Sequence, residues 1–363
     1  MDEIFFLMEE ERFMKHGGER DGSAISHDFS VNLNPLGMPE GLRKSLICGM
    51  DGVEEYPDYD QTKMRKAIAD LEGVSPEEVL GGNGASELLL GIVHAISPKK
   101  VLLVRPCFMG YDHVLQALED CEILTYETKA DHHFILQQDF LSAITPEVDL
   151  CILTSPNNPN GACIAPSLME GIVSRAEQMH CKLLVDETFF PLSLGGESFI
   201  PHIKNHNHVI VLRALTKTLA IPGLRVGYML ACPEWIGRVQ RKLPEWNMSS
   251  LAQLACVEGA KILTTTDYGK RTLECMVEER KDFLEVLERL GFSTFPSDTI
   301  YVLARHPRGQ EIFEQLKERG ILVRSCKSIT GLDGTYLRFA IKKKECQKFL
   351  VEALEEIVDG LKK

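Results

Sequence analysis

A chain of 363 residues that is 44% hydrophobic can bury a large core, and its length suggests about two domains. A formal charge of −13 argues against binding nucleic acid, whose phosphates attract basic surfaces, and no apolar run approaches the roughly 18 residues of a membrane span. Eleven cysteines, an odd number with no C-x-x-C pair, read as reduced thiols of a cytoplasmic protein.

In chain order, residues 1–11 are too acidic, and their apolar part too short, for a secretory signal. Residues 61–71 place Met64, Ala67, Ile68 and Leu71 at helical spacing. Ser75-Pro76-Glu77-Glu78 has the form of a capping box with proline at the first helical position, which predicts a short helix or turn. Gly81-Gly82-Asn83-Gly84-Ala85-Ser86-Glu87 predicts a glycine-rich turn that opens a helix over 85–96. Apolar runs at 101–104, 150–154, 183–185 and 209–212 suit strands buried on both faces, as in a parallel sheet. Alternating strands and helices predict an α/β sheet domain, with its ligand site at the carboxyl ends of the strands. His202, His206 and His208 sit among Lys204, Asn205 and Asn207 with no carboxylate or cysteine nearby, so they read as a solvated loop and no metal site is expected. Beyond Asn247 comes a helical stretch over 251–290, a strand over 299–304 and a helix near 310–319. Two strand-like runs, the second over 336–341, and a final amphipathic helix complete a smaller α+β domain. The expected division is an N-terminal arm with part of the small domain (1–45), a large α/β domain (46–245) and the small domain (246–363).

The chemistry gathers where strands should end. Lys217 follows a β-type run, and Arg225 stands eight residues on, across Pro222-Gly223. A lysine there can form a Schiff base with an aldehyde cofactor, while Thr216 and Arg225 can hold a phosphate; an ordinary surface lysine is the alternative. The free N–H groups at the start of the 85–96 helix, with the Ser86 hydroxyl, can cradle an anion or simply belong to a turn. Ser155-Pro156-Asn157-Asn158-Pro159-Asn160-Gly161 follows a strand directly and also reads as a Pro/Asn turn. Asp186 can pair with a protonated pyridine nitrogen or cap a turn, and Phe108 can stack on a flat cofactor or pack in the core.

In this order and placement, these segments resemble the fold-type I pyridoxal phosphate enzymes of the aspartate aminotransferase superfamily. The resemblance implies that fold, with a mostly parallel sheet in the large domain. It also implies pyridoxal 5'-phosphate as cofactor, with Lys217 as the Schiff-base lysine, Asp186 as the pyridinium partner and Asn158 at the phenolic oxygen. Ala85, Ser86, Thr216 and Arg225 match the phosphate cup, and Phe108 the stacking ring. Tyr56 is similar to the tyrosine that reaches the phosphate from the partner subunit, which implies a homodimer with a shared active site.

More specifically, the chain resembles threonine-phosphate decarboxylases and, next, histidinol-phosphate aminotransferases, from about residue 16 to the C-terminus. His16-Gly17-Gly18, residues 29–39 with Asn34, and the segments 320–326, 331–333 and 336–340 carry this likeness. It implies that His16 and Arg324 hold a substrate phosphate, that Arg338 binds the α-carboxylate, and that Asn34 and Asn158 contact substrate. An arginine fork suits both anions. The implied reaction is decarboxylation of O-phospho-L-threonine, a step of cobalamin biosynthesis. Transamination of histidinol phosphate with 2-oxoglutarate is the alternative, then a phosphoserine decarboxylase or a catalytically silent regulator. Three positions depart from the pattern: Phe189 stands where the aminotransferases usually have tyrosine, Glu19 replaces a polar neutral residue, and Asn160 replaces a threonine.

Overall fold

The structure, a computed structural model, describes residues 17–18 and 24–362. After the short strand β1 (His27–Asp28), seven strands build one sheet: β2 (Val79–Asn83), β3 (Lys100–Arg105), β4 (Glu122–Glu127), β5 (Leu150–Thr154), β6 (Lys182–Asp186), β7 (Val209–Ala214) and β8 (Val226–Leu230). Their order is β2-β8-β7-β6-β5-β3-β4. The pairings among β3 to β7 are parallel, while β8 runs antiparallel to β2 and β7.

The continuous apolar runs are explained by helices on both faces. Val209 and Val211 of β7 pack with Met169 and Ile172 of the helix Pro166–Gln178. Ile210 and Leu212, pointing the other way, meet Leu88 and Ile92 of the helix Ala85–Ile96. The reversal at β8 follows from chain length. Residues 215–225 leave room for a four-residue helix, Leu215–Thr218, and a 3-10 turn, Pro222–Leu224. A parallel return needs a crossover of about a dozen residues or more.

Two expectations change here. Gly81 and Gly82 lie in β2 rather than in a turn, and the turn is confined to Gly84. The glycines are there for space: a Cβ on Gly81 would lie 2.2 Å from Met64 Cε and 2.4 Å from Met248 Sδ. The expected helix over 251–290 is two helices, Ser250–Thr265 and Tyr268–Arg289. Hydroxyls of Thr264, Thr265 and Thr266 donate to the carbonyls of Ala260, Lys261 and Ile262, and β-branched residues with such competing bonds end a helix readily. The capping box forms as read: the Ser75 backbone N–H donates to Glu78 Oε2 at 2.8 Å, ahead of the turn Pro76–Glu78.

A second sheet holds β9 (Ser293–Thr294), β10 (Tyr301–Arg305), β12 (Arg324–Ser325) and β13 (Tyr336–Ala340), antiparallel in the order β12-β13-β10-β9; β11 (Ile321–Leu322) pairs in parallel with β1. Its core, with Phe29, Phe283, Leu316, Phe339 and Leu354, draws on both ends of the chain. No helix among the described residues is long and apolar enough to cross a membrane.

Candidate active site

The carboxyl ends of β5, β6 and β7 open onto a cavity of about 380 Å³, whose walls include Ala85, Ser86, Phe108, Asn158, Asp186, Thr216, Lys217, Arg225, Arg324 and Arg338. Residues scattered over more than 250 positions thus meet in one space.

At one end the backbone makes an anion cradle. The helix Ala85–Ile96 starts at Gly84 with no side-chain cap, so its first N–H groups and its positive dipole end are available to a ligand. Glycine is required twice at this spot. At φ +81 a Cβ on Gly84 would come within 2.4 Å of an Arg225 guanidinium nitrogen, and on Gly227 it would lie 2.5 Å from the Ala85 nitrogen. Arg225 pairs with no carboxylate among the described residues, leaving its fork for an anion.

In the middle stand Asp186 and Lys217. Thr154 and Asp186 are register partners at the ends of β5 and β6. The Tyr111 hydroxyl donates to Asp186 Oδ2 at 2.8 Å, and the Thr188 N–H donates to Oδ1 at 2.9 Å. With its one proton so used, Tyr111 accepts from the Thr154 hydroxyl at 2.8 Å. Burial pushes the Asp186 carboxyl above its ordinary range, only partly offset by these donors and by Lys217. A buried carboxylate with no salt bridge among the described residues is suited to a cation brought by a ligand. Burial, then Arg338 and Arg225, lowers the Lys217 ammonium to about 8, against the pull of Asp186. An amine this acidic, an unpaired arginine over a helix N-terminus and a buried carboxylate fit an aldehyde cofactor bearing a phosphate and a basic ring nitrogen.

The second sheet supplies the opposite wall. Arg324 and Arg338 are register partners across β12 and β13. Arg338 donates to Asn158 Oδ1 at 2.5 Å and to the Ser30 carbonyl at 2.7 Å, and burial lowers its guanidinium to about 10. Arg324 donates to Ser328 Oγ at 3.1 Å.

Several expected residues fall elsewhere. Asn34 is not on the cavity wall: its Nδ2 donates to the Thr218 carbonyl and to Thr272 Oγ1, both at 2.8 Å, and its Oδ1 accepts from the Leu36 N–H. Its backbone N–H also donates to the Lys217 carbonyl at 3.1 Å, so Asn34 holds the chain around Lys217. Asn32 lines the cavity, with a buried Oδ1 that has no partner among the described residues. Tyr56, 82% exposed, lies against Trp246 at 5.0 Å between ring centres, away from this chain's cavity. His16 and Glu19 lie outside the described residues; the neighbouring Gly17 is on the wall, and the Gly18 N–H donates to Ser30 Oγ at 2.7 Å. Phe189 presents no hydroxyl and packs edge-on to Tyr301, 5.1 Å away. Asn160 is fully buried and bonds the Phe134 carbonyl and Asn157, a fixed part of its turn. Sequence reasoning missed Tyr111, Thr154, Thr188 and Asn32; the aromatic spacing of Phe108-Met109-Gly110-Tyr111 was the one available hint.

Residues 26–354 match the family described as aminotransferase class I and II. The threonine-phosphate decarboxylase of Salmonella typhimurium is 33% identical over 337 residues, 92% of each chain. The histidinol-phosphate aminotransferase of Caldanaerobacter subterraneus is 28% identical over 345 residues, 94% of this chain and 95% of that one. The crystal structure of the histidinol-phosphate aminotransferase from Clostridium acetobutylicum superposes with a TM-score of 0.85 at 27% identity, covering 92% of this chain and 99% of the other. Nearly the whole chain, including both sheets and the cavity between them, is accounted for by these matches, and the chain belongs to the class I and II aminotransferase family of fold-type I enzymes.

Proposed function

We propose that this protein is a pyridoxal phosphate enzyme that decarboxylates O-phospho-L-threonine to (R)-1-aminopropan-2-yl phosphate and carbon dioxide. The observation that carries this reading is the 33% identity to a threonine-phosphate decarboxylase over 92% of both chains. Two arginines side by side across β12 and β13 support it, since the substrate offers a carboxylate and a phosphate.

Ala85, Ser86, Thr216 and Arg225 would hold the cofactor phosphate, Asp186 its ring nitrogen, Asn158 its phenolic oxygen and Phe108 one ring face. When bound, pyridoxal phosphate supplies an aldehyde for an amine and a ring that takes up electrons from a bond broken at Cα. Lys217 would be the amine that holds the aldehyde, helped by its lowered basicity. Arg338, steadied by Asn158 and the Ser30 carbonyl, anchors the α-carboxylate, and Arg324 the substrate phosphate. These anchors would fix the orientation of Cα and so select which of its bonds is placed to break. With the carboxylate so placed, carbon dioxide would be lost, and Lys217 or water would supply the proton that takes its place at Cα.

Amino transfer from histidinol phosphate is the rival, supported by relatives of that name over an equal share of the chain. There Lys217 would remove the Cα hydrogen as general base. Phe189 favours the decarboxylase, because aminotransferases of this group usually place a tyrosine hydroxyl there. The test is to incubate the protein with cofactor and O-phospho-L-threonine, with no keto acid present. Carbon dioxide and the amino-alcohol phosphate should appear. Product that forms only with added 2-oxoglutarate would overturn the proposal in favour of the rival. O-phosphoserine belongs in the same assay, because one methyl group discriminates by only about 1–3 kcal/mol.

A further inference from the structure

Ahead of β7, at the end of the sheet away from the cavity, three side chains converge. Glu177 lies in the last turn of the helix Pro166–Gln178, and His206 and His208 lie in the loop before Val209. One ligating atom from each residue lies within 4.8 Å of those of the other two. In the sequence these histidines have no acid beside them. The fold supplies one, because Met169, Ile172 and Val173 bury one face of that helix in the core beside β6 and β7.

The geometry is that of a prepared site. His206 Nδ1 stands 3.2 Å from Glu177 Oε2. His208 is only 7% exposed, and its Nε2 lies 3.1 Å from the Val173 carbonyl oxygen. A carbonyl only accepts, so Nε2 carries the hydrogen and Nδ1 keeps its lone pair. Metal-binding histidines are commonly oriented in this way, by donating their other N–H to a backbone carbonyl. The loop backbone is pinned on both sides: Trp235 Nε1 donates to the Asn207 carbonyl at 2.9 Å, and the Leu183 N–H donates to the His208 carbonyl at 2.9 Å.

We propose that Glu177, His206 and His208 bind a divalent transition-metal ion of the zinc class, separate from the cofactor cavity. Two imidazoles and a carboxylate form a three-ligand set that zinc completes with water, whereas magnesium and calcium prefer oxygen alone. Around a tetrahedral zinc, with bonds of about 2.0–2.1 Å, ligand atoms stand about 3.4 Å apart. His206 Nδ1 and Glu177 Oε2 already stand 3.2 Å apart, and the exposed Glu177 carboxylate is not held in the core. Lys217 lies beyond the far end of β7, a six-residue strand spanning roughly 20 Å, so the ion would sit apart from the cofactor cavity and bridge the helix to the entry of β7.

Untagged full-length protein, loaded with its cofactor and stripped of metals by a chelator, is titrated with zinc chloride by calorimetry, with melting followed in parallel. One equivalent per chain should bind, and the melting temperature should rise with zinc. Glu177→Gln, at an exposed position, and His206→Ala should each weaken binding at least about tenfold while leaving the zinc-free circular dichroism unchanged. Cys48→Ser, an exposed thiol elsewhere, should bind zinc like the parent. Absence of zinc binding by the parent overturns the proposal, and so does binding that both substitutions leave intact. Neither result depends on which reaction the enzyme catalyses.

Discussion

At Lys217, burial and two guanidinium groups act against a single carboxylate, and the balance favours the neutral amine. The folded value of about 8 lies below the ordinary 10.5, so the unfolded chain binds the extra proton between those values. Stability from this group therefore rises with pH across that window and is absent below it. Attachment of pyridoxal phosphate to the cofactor-free chain should accelerate with pH and level off above about 8, followed by rapid-mixing absorbance. Arg338→Gln removes a repelling charge and should move that midpoint upward. A midpoint near the free-lysine value, or one indifferent to Arg338, would refute this account of Lys217. Lys217 and Arg225 were legible in the sequence because a short turn fixes their relation. Asn32 and Asn34 were not separable, because two asparagines in Val31-Asn32-Leu33-Asn34 differ only in what the fold brings to them. Tyr111 was hidden for a similar reason, its partner Asp186 being 75 residues away.

Among the elements, the helix over Ala85–Ile96 and strands β3, β5, β6 and β7 were readable from periodicity, since both of their faces or one stripe must be apolar. The direction of β8 was not, because it depends on the length of the Lys217 connection and not on hydrophobic pattern. That antiparallel strand brings Gly227 against the start of the helix, with no room for a Cβ. Gly227→Ala should push the helix N-terminus out of place. The expected outcome is a loss of cofactor affinity on the order of tenfold, with about 1–3 kcal/mol of stability lost to overpacking. Fluorescence titration with pyridoxal phosphate and denaturant unfolding measure the two effects. Retained affinity would show that the helix N–H groups do not hold the phosphate.

For the whole molecule, Ile47, Met50, Val53, Tyr56 and Trp246 leave large apolar surfaces exposed near one another in sequence or in ring contact. Exposed apolar clusters on soluble enzymes commonly mark contacts with another chain. If a second copy covers this one and receives Tyr56 in its cavity, Val53→Asp should shift the protein from dimer to monomer in sedimentation and weaken cofactor binding in step. A monomer with undiminished cofactor affinity would exclude a shared site. Charge is distributed unevenly on the same scale. Lys217, Arg225, Arg324 and Arg338 face the cavity alongside the carboxylate of Asp186, inside a chain of formal charge −13. A phosphate dianion therefore approaches through a repelling far field and is drawn in only within about a screening length of 8–10 Å. Salt weakens the outer repulsion before it reaches the sheltered cations, so moderate ionic strength opens the route to the site rather than closing it.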